Sequence, residues 1–197
     1  REKYTLVIGY FGSYVSRSRG AMAKNIWPVL EAVGRSETRK DVVFVLVGVS
    51  NVPLQTPAGV TVMVLEPVPN GEVKSLMSIV DIGLYVYANT VDHDLVLGGK
   101  LYDYVAGGLP IWAIVPQGAF SLERFSERAG NKILISNIND ENSIKDTLAE
   151  IIEKKTNRTL FANHVIGSEK RFSREEQFAR MRAFIEAEWH ENETNIP

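Results

Sequence analysis

Apolar positions along this chain fall into two kinds of block. Short, almost wholly apolar runs lie at Tyr4 to Tyr10, Asp41 to Val49, Val60 to Leu65, Ile82 to Tyr87, Leu109 to Val115 and Lys132 to Ile135. A strand that is apolar on both faces must be covered on both, so these runs read as buried strands of a parallel sheet. Between them the pattern takes on a helical period. Met22, Ile26, Trp27, Leu30 and Val33 recur at helical spacing from Gly20 to Val33, with Pro28 either kinking that helix or sitting near its start. Asn70 and Gly71 open a short helix to Met77, Phe120 to Ala129 reads as another, and Asp140 caps one running towards Lys155. Near the C terminus Ser173 and Glu176 have capping-box spacing ahead of Phe178, Met181, Phe184 and Ile185, where Phe178 and Phe184, like Trp27, are expected to pack as core.

Strands alternating with helices predict an α/β fold, a doubly wound, Rossmann-like parallel sheet with C-terminal helices. One domain is expected over residues 1–197, with its core at about 4–155 and a helical extension at about 156–190. Sheets of this kind bind ligands at the carboxyl ends of their strands, where loops meet helix N-termini, so the loops after the first, third and fourth strands are the ones to inspect.

The most informative stretch runs from Gly98 to Trp112. A glycine pair opens a short helical pattern, a second pair closes it, and Pro110 leads into an apolar run. Within that helix Leu101, Tyr104 and Val105 share one face, while Lys100, Asp103 and Gly107 share another. A phosphate suits the glycine end, where first-turn N–H groups and the positive end of the helix dipole meet. Asp103, one turn on, is placed to accept hydrogen bonds from hydroxyls such as those of a ribose. On residue types alone, Lys100 and Asp103 read equally well as a solvated surface pair.

Composition narrows the alternatives. The 197 residues carry 22 basic and 24 acidic side chains, a net charge of −2, with no long basic run, so no nucleic-acid partner is expected. Cysteine is absent, which excludes disulfides, cysteine-bound metal and thiol catalysis. His93, His164 and His190 are scattered without metal-ligand spacing, and no metal site is expected. No apolar run approaches the ~18 residues that a membrane-spanning helix requires, and no signal-peptide pattern appears. The glycine-containing loop from Gly9 to Gly20 lacks both the dinucleotide fingerprint and the Walker lysine.

The central stretch nevertheless resembles the signature of GT-B glycosyltransferases of the family-four type, Lys-Leu-(aromatic)-Glu-Tyr-(apolar)-Ala-x-Gly-x-Pro. Lys100, Leu101, Tyr102, Asp103, Tyr104, Val105, Ala106, Gly108 and Pro110 fall on it. Val43 to Gly48 and the Leu-x-x-x-x-Asp-Ile-Gly-Leu run from Leu76 to Leu84 extend the likeness. The resemblance implies one half of a GT-B fold, the C-terminal domain that binds a nucleotide-sugar donor. It implies that Asp103 holds the ribose, that the N–H groups around Gly99, Lys100 and Leu101 hold the diphosphate with Gly12 and Arg19 of the first loop, and that the main chain near Val68 grips the base.

The implied reaction is transfer of a hexose, with retention, from a UDP- or GDP-sugar to a glycan or lipid, as in polysaccharide biosynthesis, with no cofactor and no metal on the diphosphate. The acceptor would enter through an N-terminal domain outside this chain, which alone would be inactive, and the setting would be cytoplasmic, with any peripheral membrane contact made through the missing part. No catalytic residue is assigned. Two positions depart from the pattern: Leu95 stands where the family has a first acid, with Asp92 and Asp94 close by, and Ser13 stands where it has a second basic residue, with Arg17 nearby. These departures keep open a non-catalytic Rossmann-like interaction or regulatory module; a nucleotide-sugar epimerase domain is a further alternative.

Overall fold

A computed structural model describes residues 6–12, 26–49, 56–87, 97–128 and 133–160, together with 178–179 and 182–183. Among them the apolar runs form six strands: β1 (Leu6–Phe11), β2 (Val42–Val47), β3 (Thr61–Leu65), β4 (Ile82–Val86), β5 (Ile111–Val115) and β6 (Ile133–Asn137). The helices are α1 (Trp27–Gly34), α2 (Asn70–Met77), α3 (Gly99–Ala106), α4 (Phe120–Arg128) and α5 (Glu141–Thr156). The strands lie in the order β3-β2-β1-β4-β5-β6, and every neighbouring pair is parallel. This is the expected Rossmann-like sheet. Because β1 sits between β2 and β4, the direction of winding reverses there, the position at which sheets of this kind open a ligand crevice at the carboxyl ends of their strands.

Strict alternation assigns each strand residue to one of two cores. Leu6, Ile8 and Tyr10 join Phe44, Leu46, Ile82, Leu84 and Trp112 under α1 and α5, which contribute Leu30, Val33, Ile144 and Leu148. Val7 and Phe11 join Val43, Val45, Tyr85 and Ile111 on the opposite face, against Met77 of α2, Leu101 and Tyr104 of α3, and Phe125 of α4. All residues of β1, β2, β4 and β5 are buried, as continuous apolar runs require.

Expectation and structure part at two places, β3 and Phe178, and agree at Pro28 and Asp140. The third strand is an edge, not a buried strand: Met63 and Val64 are 51% and 50% exposed because β3 has a neighbour on one side only. Pro28 does not kink its helix; it occupies the first turn of α1, where its missing N–H costs nothing, and residues 20–25 of the longer expected helix lie outside the described residues. Asp140 caps α5 as expected, its Oδ1 accepting from the N–H groups of Asn142 and Ser143 at 2.9 and 3.2 Å. Phe178 is 63% exposed and so does not pack as core, and its described helical neighbours at 179, 182 and 183 are exposed too. The remainder of the expected C-terminal extension, with Phe184, lies outside the described residues.

Among the described residues, every buried side-chain nitrogen and oxygen has a hydrogen-bond partner. Asp81, just ahead of β4, is buried and accepts from the Val7 N–H at 2.8 Å and from the Lys155 ammonium at the end of α5. Trp112 Nε1 donates to Ser136 Oγ at 2.8 Å between β5 and β6.

Two glycines face each other at the centre of the sheet, Gly9 of β1 and Gly83 of β4. A methyl group on Gly83 would lie 2.8 Å from the ring of Tyr104 and 2.9 Å from Leu109. Gly83→Ala should therefore destabilise the protein by about 1–3 kcal/mol through overpacking. Urea unfolding would show this as a lower midpoint at unchanged slope; an unchanged midpoint would mean that α3 does not press on β4 as described.

Candidate functional site

The site begins where β1 ends. After Phe11 the chain turns at Gly12 with φ +128°, a conformation that side chains disfavour, and the Gly12 N–H donates to Val47 O at 2.8 Å. Gly48 repeats the device one strand away, with φ +84° and its N–H on Leu65 O at 3.1 Å. The floor they form has no side chains. A Cβ on Gly12 would sit 3.0 Å from Lys100 Nζ, so the space above this glycine is where the lysine head lies.

Helix α3 forms the opposite wall. Its N-cap Gly98 is extended, donates its N–H to Tyr85 Oη at 3.0 Å and accepts the Leu101 N–H at 3.0 Å. Leu101, Tyr104 and Val105 are buried beneath it. That packing turns Lys100 and Asp103 towards the crevice, as their spacing predicts. Lys100 Nζ stands 3.7 Å from the centre of the Tyr10 ring, within cation–π range.

The loop after β3 and the first face of α2 close the third side with Pro67, Val68, Val73 and Met77. The cleft is open to solvent on one side and has a volume of about 380 Å³, a size suited to a small organic ligand. It offers a cation and glycine backbone at one wall, a carboxylate beside them, and an apolar wall of Val47, Pro67, Val68, Val73 and Met77. Such a combination suits a molecule with an anionic part, hydroxyls and a flat apolar part.

Four residues singled out from the sequence therefore meet: Gly12, Val68, Lys100 and Asp103 line one cleft. Gly99 is exposed in the first turn of α3, next to the cleft and not in its lining. Leu101 buries its side chain beside Tyr104 and Val105, as its spacing predicts, its N–H donates to Gly98 O at 3.0 Å, and it does not line the cleft. Arg19, Ser13, Arg17, and the loop carrying Asp92, His93, Asp94 and Leu95 lie outside the described residues, as do His164 and His190. Gly48 and Met77 also line the cleft, although nothing in the sequence reading gave them a site role. Gly48 had a usable signal, a glycine directly after a buried strand, matching Gly12 after its neighbour.

The sequence matches no protein-family model and no curated protein. Solved structures do match in three dimensions. The catalytic domain of cholesterol-alpha-glucosyltransferase from Helicobacter pylori superposes with a TM-score of 0.61 at 18% identity, over 86% of this chain and 99% of that one. The fold is shared with a glycosyltransferase. The spinosyn forosaminyltransferase SpnP gives a TM-score of 0.51 at 16% identity, over 89% of this chain. S. aureus MnaA, solved with UDP, gives 0.52 at 15%, over 86%. The chain spans nearly all of the first structure but only 43% and 45% of the second and third. At these identities the likeness is one of fold. Among the described residues, no helix is long and apolar enough to cross a membrane.

Two tyrosines lace α3 to the sheet, and burial governs their ionisation. Desolvation pushes the Tyr85 phenol from 10 up to about 12, with the Gly98 N–H pulling slightly the other way; burial raises Tyr104 in the same sense. Each group keeps its proton longer folded than unfolded, so its contribution is complete below pH 10 and is lost as pH rises towards the folded value. Between pH 10 and 12 stability should fall by up to about 1.4 kcal/mol per pH unit from Tyr85. Urea titrations at pH 9, 10 and 11 should show this fall, and Tyr85→Phe should make it shallower while the share of Tyr104 remains; an identical slope in wild type and variant would contradict the burial of that hydroxyl.

Proposed function

We propose that this chain is the donor-binding half of a GT-B glycosyltransferase of the family-four type, and that the cleft between β1, the β3 loop and α3 holds the nucleoside diphosphate of a UDP- or GDP-sugar. One observation carries this reading: Gly12, Val68, Lys100 and Asp103, far apart in sequence and each assigned a donor-binding role by resemblance, line a single cleft at the carboxyl end of the sheet. The fold shared with the H. pylori glucosyltransferase domain supports it, as does the presence of UDP in the MnaA structure.

In this reading the diphosphate lies over Gly12 beside Lys100 and the first turn of α3, the ribose hydroxyls donate to Asp103, and the base rests against Val68 and Pro67. Transfer of the hexose leaves negative charge on the departing diphosphate. Lys100 and the N–H groups at the start of α3 stabilise that charge where it develops, and the family resemblance assigns Arg19, which lies outside the described residues, to the same diphosphate. Bringing donor and acceptor together supplies the rest of the acceleration, which requires an acceptor-binding domain beyond this chain.

Calorimetric titration with UDP and GDP tests the reading. Wild type should bind at least one of them, and Asp103→Ala should weaken binding roughly 10-fold to 150-fold, since hydrogen bonds to charged groups contribute about 1.5–3 kcal/mol. Lys100→Ala should cost less, with an effect that shrinks as salt is added. Absence of binding by a folded wild type, or binding untouched by Asp103→Ala, would remove the basis of the proposal. Residues 1–197 alone should transfer no sugar; turnover by them would show that no second domain is needed.

A further inference from the structure

The seam between β1 and β4 is short. Ile8 pairs with Ile82 and Gly9 with Gly83, and there direct pairing stops, although β1 stays paired with β2 as far as Phe11–Val47 and β4 with β5 as far as Val86–Ile114. Continuing the register would set Tyr10 and Phe11 against Leu84 and Tyr85. Instead a side chain stands between the strands. The Phe11 N–H, which points to this side because the next N–H, that of Gly12, points to β2, donates to Tyr104 Oη at 3.2 Å; Tyr104 Oη in turn donates to Leu84 O at 3.3 Å. One hydroxyl thus takes the place of a rung of the ladder.

The ring that carries it is held in place by its packing. It lies against Gly83, where a Cβ would be 2.8 Å away, it meets the Phe11 ring edge to face at 5.9 Å, and it is wholly buried. Tyr104 follows Asp103 directly in α3, and Phe11 and Gly12 follow each other at the end of β1. The two walls of the cleft are therefore joined through this hydroxyl, although Tyr104 itself does not line the cleft.

We infer that Tyr104 is a positioning residue whose hydroxyl, inserted between β1 and β4, holds the strands apart and sets the distance between the Phe11–Gly12 wall and the Lys100–Asp103 wall of the cleft. The inference concerns the geometry of the crevice, and its consequence for nucleotide affinity rests on the function proposed above. Without the hydroxyl, the Phe11 N–H and Leu84 C=O are both left buried without this partner, and the gap relaxes towards direct pairing.

The test compares Tyr104→Phe, which keeps the ring, with Ser136→Ala, which removes the acceptor of a buried hydrogen bond distant from the cleft. In backbone amide NMR spectra without nucleotide, Tyr104→Phe should shift not only Phe11 but also Gly12, Gly48, Lys100 and Asp103, whereas Ser136→Ala should leave all five in place. UDP or GDP affinity, whichever wild type binds, should fall about tenfold or more in Tyr104→Phe and stay within about twofold in Ser136→Ala, even where the two variants lose similar stability. Gly83→Ala, which displaces the ring while keeping the hydroxyl, should reproduce the loss and serves if Tyr104→Phe does not fold. Amide shifts confined to Phe11, or wild-type affinity in Tyr104→Phe, would reduce the hydroxyl to an ordinary core hydrogen bond and overturn the inference. If folded wild type binds neither nucleotide, the proposed function fails, and the amide spectra still decide whether Tyr104 sets the crevice.

Discussion

The structure depends on one seam, the junction of β1 with β4, where the winding of the sheet reverses. A parallel sheet satisfies its backbone by unbroken pairing, yet a reversal point must open at its carboxyl end to leave a crevice. This chain meets both demands with side chains. The Val7 N–H at the amino end of β1 is taken by the buried Asp81 carboxylate, and the Phe11 N–H at the carboxyl end by the Tyr104 hydroxyl, with the glycine pair Gly9–Gly83 between them. Asp81 also holds Lys155 at the end of α5, so the same seam anchors helices on both faces of the sheet.

Glycine has two separate uses around that seam. Gly83 has no side chain because the ring of Tyr104 occupies the place of its Cβ. Gly12 and Gly48 serve the chain path: both have positive φ, and both end a buried strand by turning an N–H onto the neighbouring strand. Bare backbone then faces Lys100 across the cleft, which is the surface an anionic group can approach most closely.

Much of this was legible in the sequence because burial on both faces leaves an unmistakable apolar run. The strands at Leu6–Phe11, Val42–Val47, Ile82–Val86 and Ile111–Val115 were readable for that reason, and the face shared by Lys100 and Asp103 followed from helical spacing. Strand β3 misled because Val60 to Leu65 is as apolar as its neighbours; exposure depends on position in the sheet, and strand order is not written in local composition. Leu101 was placed at the site by resemblance, while its apolar side chain already pointed to the core. Tyr85 and Tyr104 read as ordinary core residues, since the partners of their hydroxyls, Gly98, Phe11 and Leu84, are defined only once α3 is docked on the sheet.

The cleft at the switch point is the proposed nucleotide site. Titration of UDP and of GDP into isotopically labelled protein, followed by backbone amide NMR, tests it most directly because it reports where the nucleotide binds. A nucleotide bound in the cleft should shift Gly12, Gly48, Val68, Lys100 and Asp103 progressively and leave Val7, Asp81 and Ser136 unmoved. Shifts centred elsewhere, such as along the β3 edge at Met63 and Val64, or a folded protein whose spectrum neither nucleotide changes, would contradict it.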